Sequence, residues 1–456
     1  MARSTIKYVC NNCGAQYSSW AGRCAQCGEW NTIAEEVQLV TTATGVGLNK
    51  KAGVGAALKP QAVSKSAAKN DSRLATGITD VDMVLGGGIV AGSVNLIAGQ
   101  PGIGKSTLLM QLASQVAQQH AVLYVSGEES EHQVGMRAQR LGVAGVERLQ
   151  LATSNVAEDI AATIANSAYD FVVVDSIQTM TVQAVAAAPG SVSQITNSTA
   201  VLVAAAKASN TAMFVVGHVT KEGSIAGPKV LEHIVDVVLQ LEGDAYGGFK
   251  VLRATKNRFG PTSEAAILEM DERGLHPVEN PSQALLAERQ ISDGSVVLAT
   301  LEGTRPLLVE VQALVNKTSY GYPKRAASGI DLNRVNLLVA MLERRTKLNL
   351  AEQDIYINIV GGIRLNDPAA DLAICMAIGS AAKGLQLKQN AVVFGEVGLS
   401  GEVRHAPFID KRVAEAKKLG FEVVIGPKER GVKSSKLSLL HPVPDVRTAL
   451  NDFLEK

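Results

Sequence analysis

The fold of this chain is decided by residues 99–106, which read Gly99-Gln100-Pro101-Gly102-Ile103-Gly104-Lys105-Ser106. The octapeptide fits the pattern G-x-x-x-x-G-K-[ST], whose glycines allow backbone N–H groups to turn toward phosphate oxygens. A buried strand is expected before it, over Ser93–Ala98, and a helix after it, over Thr107–Gln118. A phosphate-binding loop lies between a strand and a helix of this kind. An accidental match to the octapeptide pattern would occur in about 1–2% of chains of this length.

This loop predicts how the chain binds ATP. Lys105 is expected to reach the β- and γ-phosphates, so that it contributes to catalysis as well as to binding. The Ser106 hydroxyl is expected to ligate Mg²⁺. The candidate ATP-binding residues are Gly99, Gln100, Pro101, Gly102, Ile103, Gly104, Lys105, Ser106 and Thr107.

Two further strand ends carry acidic residues that suit ATP hydrolysis. The strand at 171–175 ends in Asp175, which could hold Mg²⁺, although many strands end in Asp because it favours turns. The strand at 121–126 is followed by Glu128 and Glu129, either of which could polarise the attacking water. Acidic residues also stabilise helix starts, so one of the two glutamates can equally be structural.

From about residue 74 to residue 270, apolar strand-like runs alternate with helical stretches. Continuous apolar strands of this kind predict an α/β fold in which helices cover both faces of the sheet. The expected strands are Ser93–Ala98, Ala121–Ser126, Phe171–Asp175, Ala212–Val219, Val235–Leu241 and Lys250–Thr255. A second α/β region, about 285–456, has expected strands at Ser295–Leu301, Leu307–Val315, Ile355–Val360 and Ala391–Glu396 and expected helices at Leu332–Thr346, Ala369–Ala382 and Asp410–Leu419.

Residues 1–35 form a cysteine-bearing head. Cys10 and Cys13 make one C-x-x-C knuckle and Cys24 and Cys27 make another, so that four thiolates can complete a tetrahedral shell for structural Zn²⁺. A thioredoxin-type redox motif is the alternative, but such a motif belongs in a βαβ unit. Residues 36–70 are expected to link this four-cysteine zinc finger to the ATPase core at 71–275.

Composition limits the possible classes of protein. The chain has 44 Lys+Arg against 43 Asp+Glu, so any contact with nucleic acid must use local positive charge. The apolar runs are too short for a signal peptide or a membrane span, and we therefore expect a cytoplasmic protein without a membrane partner. Cys375 stands alone in an apolar stretch and is expected to be a buried core residue.

These features together resemble the RadA/Sms branch of the RecA-type ATPases. The resemblance extends over essentially the whole chain and is carried by the cysteine head, by ATGITDVDMVLGGGIVAGSVNLIAGQPGIGKSTLLMQLA at 75–113 and by the pentapeptide KNRFG at 256–260. It implies a DNA-dependent ATPase of the DNA-damage stress response that acts on single-stranded and branched DNA. It also implies a homo-hexameric ring that promotes branch migration alongside the RecA recombinase. The resemblance leaves two partners open for the zinc finger, the recombinase and DNA.

The resemblance also implies roles for individual residues. Asp175 would be the Walker B acid, and Glu128 rather than Glu129 would be the catalytic glutamate. Lys256 and Arg258 resemble the paired basic residues that DnaB-type helicases insert into the nucleotide site of a neighbouring subunit. A guanidinium delivered in this way can neutralise charge on the γ-phosphoryl group in the transition state. Without the resemblance, KNRFG would be interpreted as a basic turn after a strand.

Three loops are candidates for contact with DNA. The first, at 220–229, follows a strand that ends near His218, where related ATPases place a sensor of the γ-phosphate. The second is small and polar, at 183–197, and the third, at 317–325, combines basic residues with two tyrosines that could stack on bases. The alternative is that these are ordinary solvated surface loops. The candidate DNA-binding residues are Lys221, Lys229, Lys317, Lys324 and Arg325.

Residues from about 285 onward resemble the proteolytic domain of Lon. The resemblance is carried by GIRLNDPAAD at 362–371, GEVGLSGEV at 395–403 and the helix at 410–419. Lon requires a Ser nucleophile after Pro and a Lys that activates it. Here Ala369 follows Pro368, and an ungapped alignment places Arg412 at the Lys position, with Lys411 one residue away. Because Arg cannot act as a base near neutral pH, the domain is expected to be proteolytically inactive.

The predicted fold class is therefore α/β. It comprises a RecA-like P-loop ATPase core, an N-terminal zinc finger with four cysteine ligands and a C-terminal Lon-protease-like α/β domain at 285–456. An alternative function is an ATP-gated regulatory scaffold that ignores DNA and turns over slowly. A third possibility, ATP-dependent proteolysis, conflicts with Ala369.

Overall fold

The computed structural model describes most of the chain. The described residues are 7–10, 16–17, 21–23, 25–26, 28, 33–36, 73–218, 230–243, 249–319, 321–388, 390–428 and 438–456. The chain divides into two compact units, residues 1–70 and residues 71–456.

The first unit contains a small antiparallel sheet. Its strands are β1 (Lys7–Cys10), β2 (Gln16–Tyr17) and β3 (Ile33–Glu36). β1 lies in the middle and pairs with both neighbours, so that Cys10 lies opposite Ile33. Arg23 Nε donates to the carbonyl of Gly28 at 2.8 Å. The backbone of Cys10 therefore ends a paired strand.

The second unit contains two large sheets, the first with nine strands. Before it come β4 (Arg73–Leu74), helix α1 (Thr79–Leu85) and β5 (Ile89–Val90). The nine strands are β6 (Val94–Gly99), β7 (Val122–Ser126), β8 (Leu149–Thr153), β9 (Phe171–Asp175), β10 (Ala212–His218), β11 (Val237–Gly243), β12 (Phe249–Asn257), β13 (Ala265–Asp271) and β14 (Gly274–Pro277). The helices among them are α2 (Lys105–Val116), α3 (Glu131–Arg140), α4 (Ala157–Asn166), α5 (Val192–Ser209) and α6 (Val230–Ile234).

The strand that leads into the phosphate loop lies at the centre of this sheet. The strand order is β14-β13-β12-β11-β6-β10-β9-β7-β8, and the six strands from β11 to β8 are parallel. Strands β12 to β14 continue the sheet in antiparallel pairs. α1 and α2 pack on one face, and α4 and α5 pack on the other. The predicted helical cover on both faces is confirmed.

The second sheet has seven strands and belongs to the C-terminal part of the chain. The strands from residue 295 onward are β15 (Ser295–Glu302), β16 (Arg305–Lys317), β17 (Arg325–Ser328), β18 (Gln353–Ile359), β19 (Gln386–Leu387), β20 (Ala391–Val393), β21 (Glu396–Val397), β22 (Val403–Arg404), β23 (Val423–Gly426), β24 (Leu440–Pro442) and β25 (Leu454–Glu455). The order of the seven strands in the sheet is β17-β18-β16-β15-β20-β23-β24. The helices are α7 (Pro281–Leu286), α8 (Leu332–Thr346), α9 (Asp371–Lys383), α10 (Ile409–Lys418) and α11 (Val446–Asp452).

Helix α9 is the buried centre of this C-terminal part. The helix is buried from Asp371 to Ser380 and packs against β15 and β16. Cys375 is fully buried within it, as predicted. The strands β16 and β18 turn their other face outward, where Leu314 lies opposite Tyr356 and both side chains are exposed.

Charged contacts join the two sheets of the second unit. Arg305, at the start of β16, forms an ion pair with Asp80 of α1 at 2.8 Å. Arg253 of β12 reaches the buried carboxylate of Glu302 in β15, also at 2.8 Å. Each pair connects the nine-stranded sheet or its helices with the seven-stranded sheet.

The expectation of a loop over residues 183–197 is wrong for its second half. Helix α5 begins at Val192, because the Ser191 hydroxyl accepts a hydrogen bond from the N–H of Gln194 and caps the helix. Gln194 is 3% exposed, and its side-chain amide donates to the carbonyls of Val185 and Ala187. This part of the segment is therefore a buried helix start.

Candidate nucleotide-binding site

The phosphate loop connects the end of β6 with the start of α2. It leaves the sheet at Gly99, which lies beside His218 of β10 and Leu241 of β11. Gly102 and Gly104 have φ angles of +77° and +111°, in the region that glycine adopts without the steric cost of a Cβ. A Cβ on Gly99 would lie 2.6 Å from the carbonyl oxygen of Leu241. The glycines thus fit a backbone cradle for phosphate.

Lys105 is the first residue of α2 and is only 4% exposed. Its Nζ donates to the carbonyl of Gly99 at 2.9 Å and to that of Gln100 at 3.0 Å. Burial lowers the pKa of Lys105 to about 8, against the opposing effects of Asp175 and Glu128. The ammonium therefore lies over the loop, where phosphate charge would favour its protonated form.

Asp175 ends β9 and is 8% exposed. Its Oδ2 accepts a hydrogen bond of 2.6 Å from the hydroxyl of Tyr124, which lies on the neighbouring strand β7. Tyr124 is not among the residues that the motifs predict for the site. The sequence does contain a signal for this contact, since Tyr124 stands within an apolar strand. A phenol that is buried in this way needs a hydrogen-bond partner.

The two glutamates after β7 have different surroundings. Glu128 accepts a hydrogen bond from the Ser176 hydroxyl, and its Oε1 lies 3.6 Å from Nε2 of His218. Glu129 forms an ion pair with Arg137 of α3 instead. Glu128 is therefore the glutamate beside the ends of β9 and β10, and Glu129 attaches α3 to the loop before it.

The two cations of KNRFG are held by groups of the same subunit. Lys256 Nζ donates to the carbonyl of Val235 at 2.7 Å and to that of Glu232, at the end of α6. Burial and the neighbouring Arg258 lower the pKa of Lys256. The guanidinium of Arg258 lies 2.9 Å from Oδ1 of Asp236, a carboxylate that is 4% exposed. The Arg258 side chain itself is half exposed.

The neighbouring residues of the pentapeptide attach it to α1 and β4. Asn257 Nδ2 donates to the carbonyl of Val84, in the last turn of α1, at 3.3 Å. Arg73 of β4 donates to the carbonyl of Phe259 at 3.0 Å. These two hydrogen bonds attach the segment, which follows the end of β12, to α1 and β4.

Lys256 and Arg258 lie at the opposite end of the sheet from the phosphate loop. The Arg258 N–H donates to the carbonyl of Asp236, and the Asp236 carboxylate accepts the N–H of Val94, the first residue of β6. The loop begins at Gly99, the last residue of β6. A strand rises about 3.3 Å per residue, so the length of β6 separates Arg258 from the loop of its own subunit by about 15 Å or more.

Only part of the predicted DNA-contact set lies within the described residues. Lys317 and Lys324 are exposed, and Tyr322 between them is 88% exposed. Arg325 is only partly exposed, and its Nη1 approaches Oδ1 of Asn336 in α8 at 3.4 Å. The predicted site residues outside the described ranges are Cys13, Cys24, Cys27, Lys221 and Lys229, together with the side chain of Cys10.

The region that resembles the Lon active site contains a buried ion pair. Arg412 is fully buried, and its Nη2 lies 2.8 Å from Oδ2 of Asp367. The N–H of Ala369 donates to the other oxygen of Asp367 at 3.0 Å. Lys411 points elsewhere and donates to the carbonyl of Thr304 at 3.1 Å. A methyl group and a paired guanidinium therefore occupy the positions that the resemblance to Lon assigns to a nucleophile and a base.

The fold and the site define a P-loop ATPase with a RecA-like core. A family profile described as an AAA domain matches residues 61–224, and one described as a rubredoxin metal binding domain matches residues 8–35. A third, described as subunit ChlI of Mg-chelatase, matches residues 331–430. The second match supports Zn²⁺ binding by the cysteine head.

Relatives match nearly the whole chain. The DNA repair protein RadA of Halalkalibacterium halodurans is 46% identical over 429 residues, which cover 94% of this chain and 93% of that protein. RadA of Bacillus subtilis is 46% identical over 433 residues, with the same coverage of 94% and 93%. A crystal structure of the RadB recombinase is 25% identical, with a TM-score of 0.38 over 45% of this chain and 100% of that chain. The chain belongs to the RadA family of DNA repair proteins.

Within the described part of the chain, every helix is too short or too polar to span a bilayer.

Proposed function

We propose that this protein is a DNA-dependent ATPase that processes recombination intermediates during DNA repair. It translocates on single-stranded or branched DNA and promotes branch migration together with the RecA recombinase. It acts in the cytoplasm, in the response to DNA damage, as a homo-hexameric ring. The observation that carries this proposal is the position of Lys256 and Arg258 at the end of the sheet opposite the phosphate loop.

The phosphate loop and two strand ends supply the groups for hydrolysis. Lys105 would bind the β- and γ-phosphates, and Ser106 and Asp175 are the residues that would hold Mg²⁺. When bound there, the metal would supply neutralisation of phosphate charge. Glu128 orients and polarises the attacking water, and its hydrogen bond from Ser176 keeps the carboxylate in place. Candidate contacts to nucleotide also include Thr107, in the first turn of α2.

Lys256 and Arg258 complete the nucleotide site of a neighbouring subunit. About 15 Å or more of sheet separates them from their own loop, so they reach a nucleotide only across an interface. The half-exposed side chain of Arg258 supports such a contact. Basic fingers of this type contribute about 10³–10⁵ in rate, and they make hydrolysis depend on a correctly placed neighbour. A closed ring provides every site with such a neighbour.

The remaining regions serve DNA and partner binding. We assign residues 1–35 to the zinc finger, 36–70 to the linker, 71–275 to the ATPase core and 285–456 to a platform without proteolytic activity. Phosphate contacts would come from Lys221, Lys229, Lys317, Lys324 and Arg325. The exposure of Lys317, Lys324 and Tyr322 supports a contact at the 317–325 loop.

The experiment that tests this function is ATP hydrolysis by the purified, zinc-loaded protein with and without single-stranded DNA across a salt series. We expect a several-fold stimulation that fades as salt rises, because phosphate contacts release counterions. Lys105→Ala is the control and should abolish turnover in every condition. A folded protein that hydrolyses ATP slowly and shows no response to DNA would instead be an ATP-gated scaffold.

A further inference from the structure

Tyr124 joins the interior of the sheet to the nucleotide site. The residue is 1% exposed, and its ring packs in the apolar cluster between the sheet and helices α2 and α3. Its hydroxyl leaves that cluster to donate to Oδ2 of Asp175 at 2.6 Å. The phenol is the donor and the carboxylate oxygen is the acceptor in this buried hydrogen bond.

Packing alone does not require this hydroxyl. The same cluster holds Phe171 and Phe214, whose rings meet edge to face on the adjacent strands. A third phenylalanine would supply similar apolar surface without a polar group to satisfy. The carboxylate torsion of an aspartate is soft, so a single strong donor can select one orientation. The hydroxyl therefore has a directional effect on Asp175 that a ring alone lacks.

We propose that Tyr124 is a positioning residue for Mg²⁺-dependent nucleotide binding. Its hydroxyl holds Oδ2 of Asp175 and thereby orients the carboxylate that would hold Mg²⁺. This inference rests on the proposed function, because Asp175 is one of the two residues that we assign to Mg²⁺. Partners outside the ligand shell typically change metal affinity by about 10–100-fold when removed. Tyr124 does not touch nucleotide, so its effect passes through Asp175.

The test compares nucleotide binding in Mg²⁺ and in EDTA for the full-length protein. Tyr124→Phe removes one oxygen atom and retains the ring. The matched control is Tyr169→Phe, which removes a hydroxyl that donates to Gln150 on the protein surface. For each protein, the affinity for a fluorescent ADP or ATP analogue is measured by anisotropy in EDTA and over a Mg²⁺ titration. ATP hydrolysis over the same Mg²⁺ range provides a second measurement.

We expect Tyr124→Phe to bind nucleotide normally in EDTA and to require about tenfold more Mg²⁺ for half-maximal tightening and hydrolysis. Tyr169→Phe should follow the wild-type curve. Equal Mg²⁺ curves for Tyr124→Phe and wild type would overturn the positioning role. An equal loss of affinity in EDTA and in Mg²⁺ would also overturn it, because that pattern indicates a general packing defect. If wild type itself shows neither Mg²⁺-dependent nucleotide binding nor Mg²⁺-dependent hydrolysis, the proposed function fails instead.

Discussion

The guanidinium of Arg258 lies 2.9 Å from the carboxylate of Asp236, at the end of the sheet where β6 begins. Asp236 is buried, whereas the Arg258 side chain is half exposed. The buried carboxylate therefore holds the guanidinium of Arg258 at the protein surface. Lys207 of α5 also approaches Asp236, at 3.6 Å. Arg258 therefore forms an internal ion pair, and its proposed contact across a subunit interface can be tested separately from that pair.

Arg258→Ala should abolish most ATP hydrolysis while nucleotide binding persists. Asp236 keeps Lys207 and the N–H of Val94 as partners, so the variant should still fold, and its melting temperature checks this. Loss of a basic finger should lower turnover by about 10³-fold or more. Hydrolysis should return when Arg258→Ala is mixed with Lys105→Ala and the rings are reassembled. In the mixed ring, an intact phosphate loop of one subunit meets an intact Arg258 of the other.

Lys207→Ala is the matched control for this experiment. It removes another half-exposed cation from the same carboxylate but lies on α5 rather than in KNRFG. We expect Lys207→Ala to hydrolyse ATP nearly as wild type does. If it is as inactive as Arg258→Ala, the defect comes from Asp236, and failure of the mixed rings to recover would argue against a contact in trans.

Nucleotide affinity should fall as pH rises above about 8. Burial lowers the pKa of Lys105 to about 8, and phosphate binding favours the protonated ammonium. The nucleotide-free protein therefore has to take up a proton on binding once the pH exceeds that value. We expect affinity to weaken by roughly tenfold between pH 7 and pH 9. Titration of a fluorescent nucleotide at each pH measures this change.

Lys105→Arg is the comparison for the pH series. A guanidinium remains charged throughout this range, so the variant should bind with an affinity that is independent of pH, whatever its absolute value. A parallel decline in wild type and Lys105→Arg would assign the pH dependence to a different group.

Local patterns in the sequence predict the centre of the fold well. Phe171–Asp175 and Leu332–Thr346 have the predicted bounds, because apolar runs and helical periodicity are properties of neighbouring residues. The phosphate loop is equally local, since its glycines and Lys105 lie within eight consecutive residues. The fold class and the family are thereby confirmed, while the catalytic roles of Glu128 and Arg258 stay predictions.

Pairs that depend on sheet register could not be predicted in this way. Tyr124 and Asp175 are 51 residues apart, and they meet only because β7 and β9 are neighbours. Gln194 is a polar residue that would be expected on the surface. It is buried at the start of α5, where hydrogen bonds to the preceding segment satisfy its side-chain amide. In the same way, Asp367 holds Arg412 from a distant part of the C-terminal fold, and no local pattern indicates that contact.

Glu302 should make the protein less stable as pH rises. Burial raises the pKa of Glu302 from 4.5 to about 7, against the opposing effect of Arg253. Between these values the folded protein binds more protons than the unfolded chain, so stability is greatest at low pH and is lost through about pH 7. The shift corresponds to about 3 kcal/mol at most. Urea denaturation at pH 5, 6, 7 and 8 measures it.

Glu302→Gln should flatten this pH dependence, because the variant has no proton to lose at the junction of the two sheets. Glu264→Gln is the control, since Glu264 also lies at this junction and accepts a hydrogen bond from Thr304 at 3.0 Å. The Glu264→Gln curve should stay parallel to that of wild type. If Glu302→Gln also stays parallel, the carboxyl does not titrate with a raised pKa.

Arg412→Met should destabilise the C-terminal part strongly and leave it without protease activity. Methionine has a length similar to that of the arginine stem, but it leaves Asp367 buried without its cation. We expect this loss to lower the free energy of unfolding by about 3–5 kcal/mol. Asp367→Asn in the same chain should recover part of that loss, because a neutral amide needs no partner charge. Lys411→Met, on the neighbouring and less buried position, should cost under about 1 kcal/mol. Urea denaturation of the four proteins checks these values, and equal stability of Arg412→Met and wild type would show that the pair contributes little.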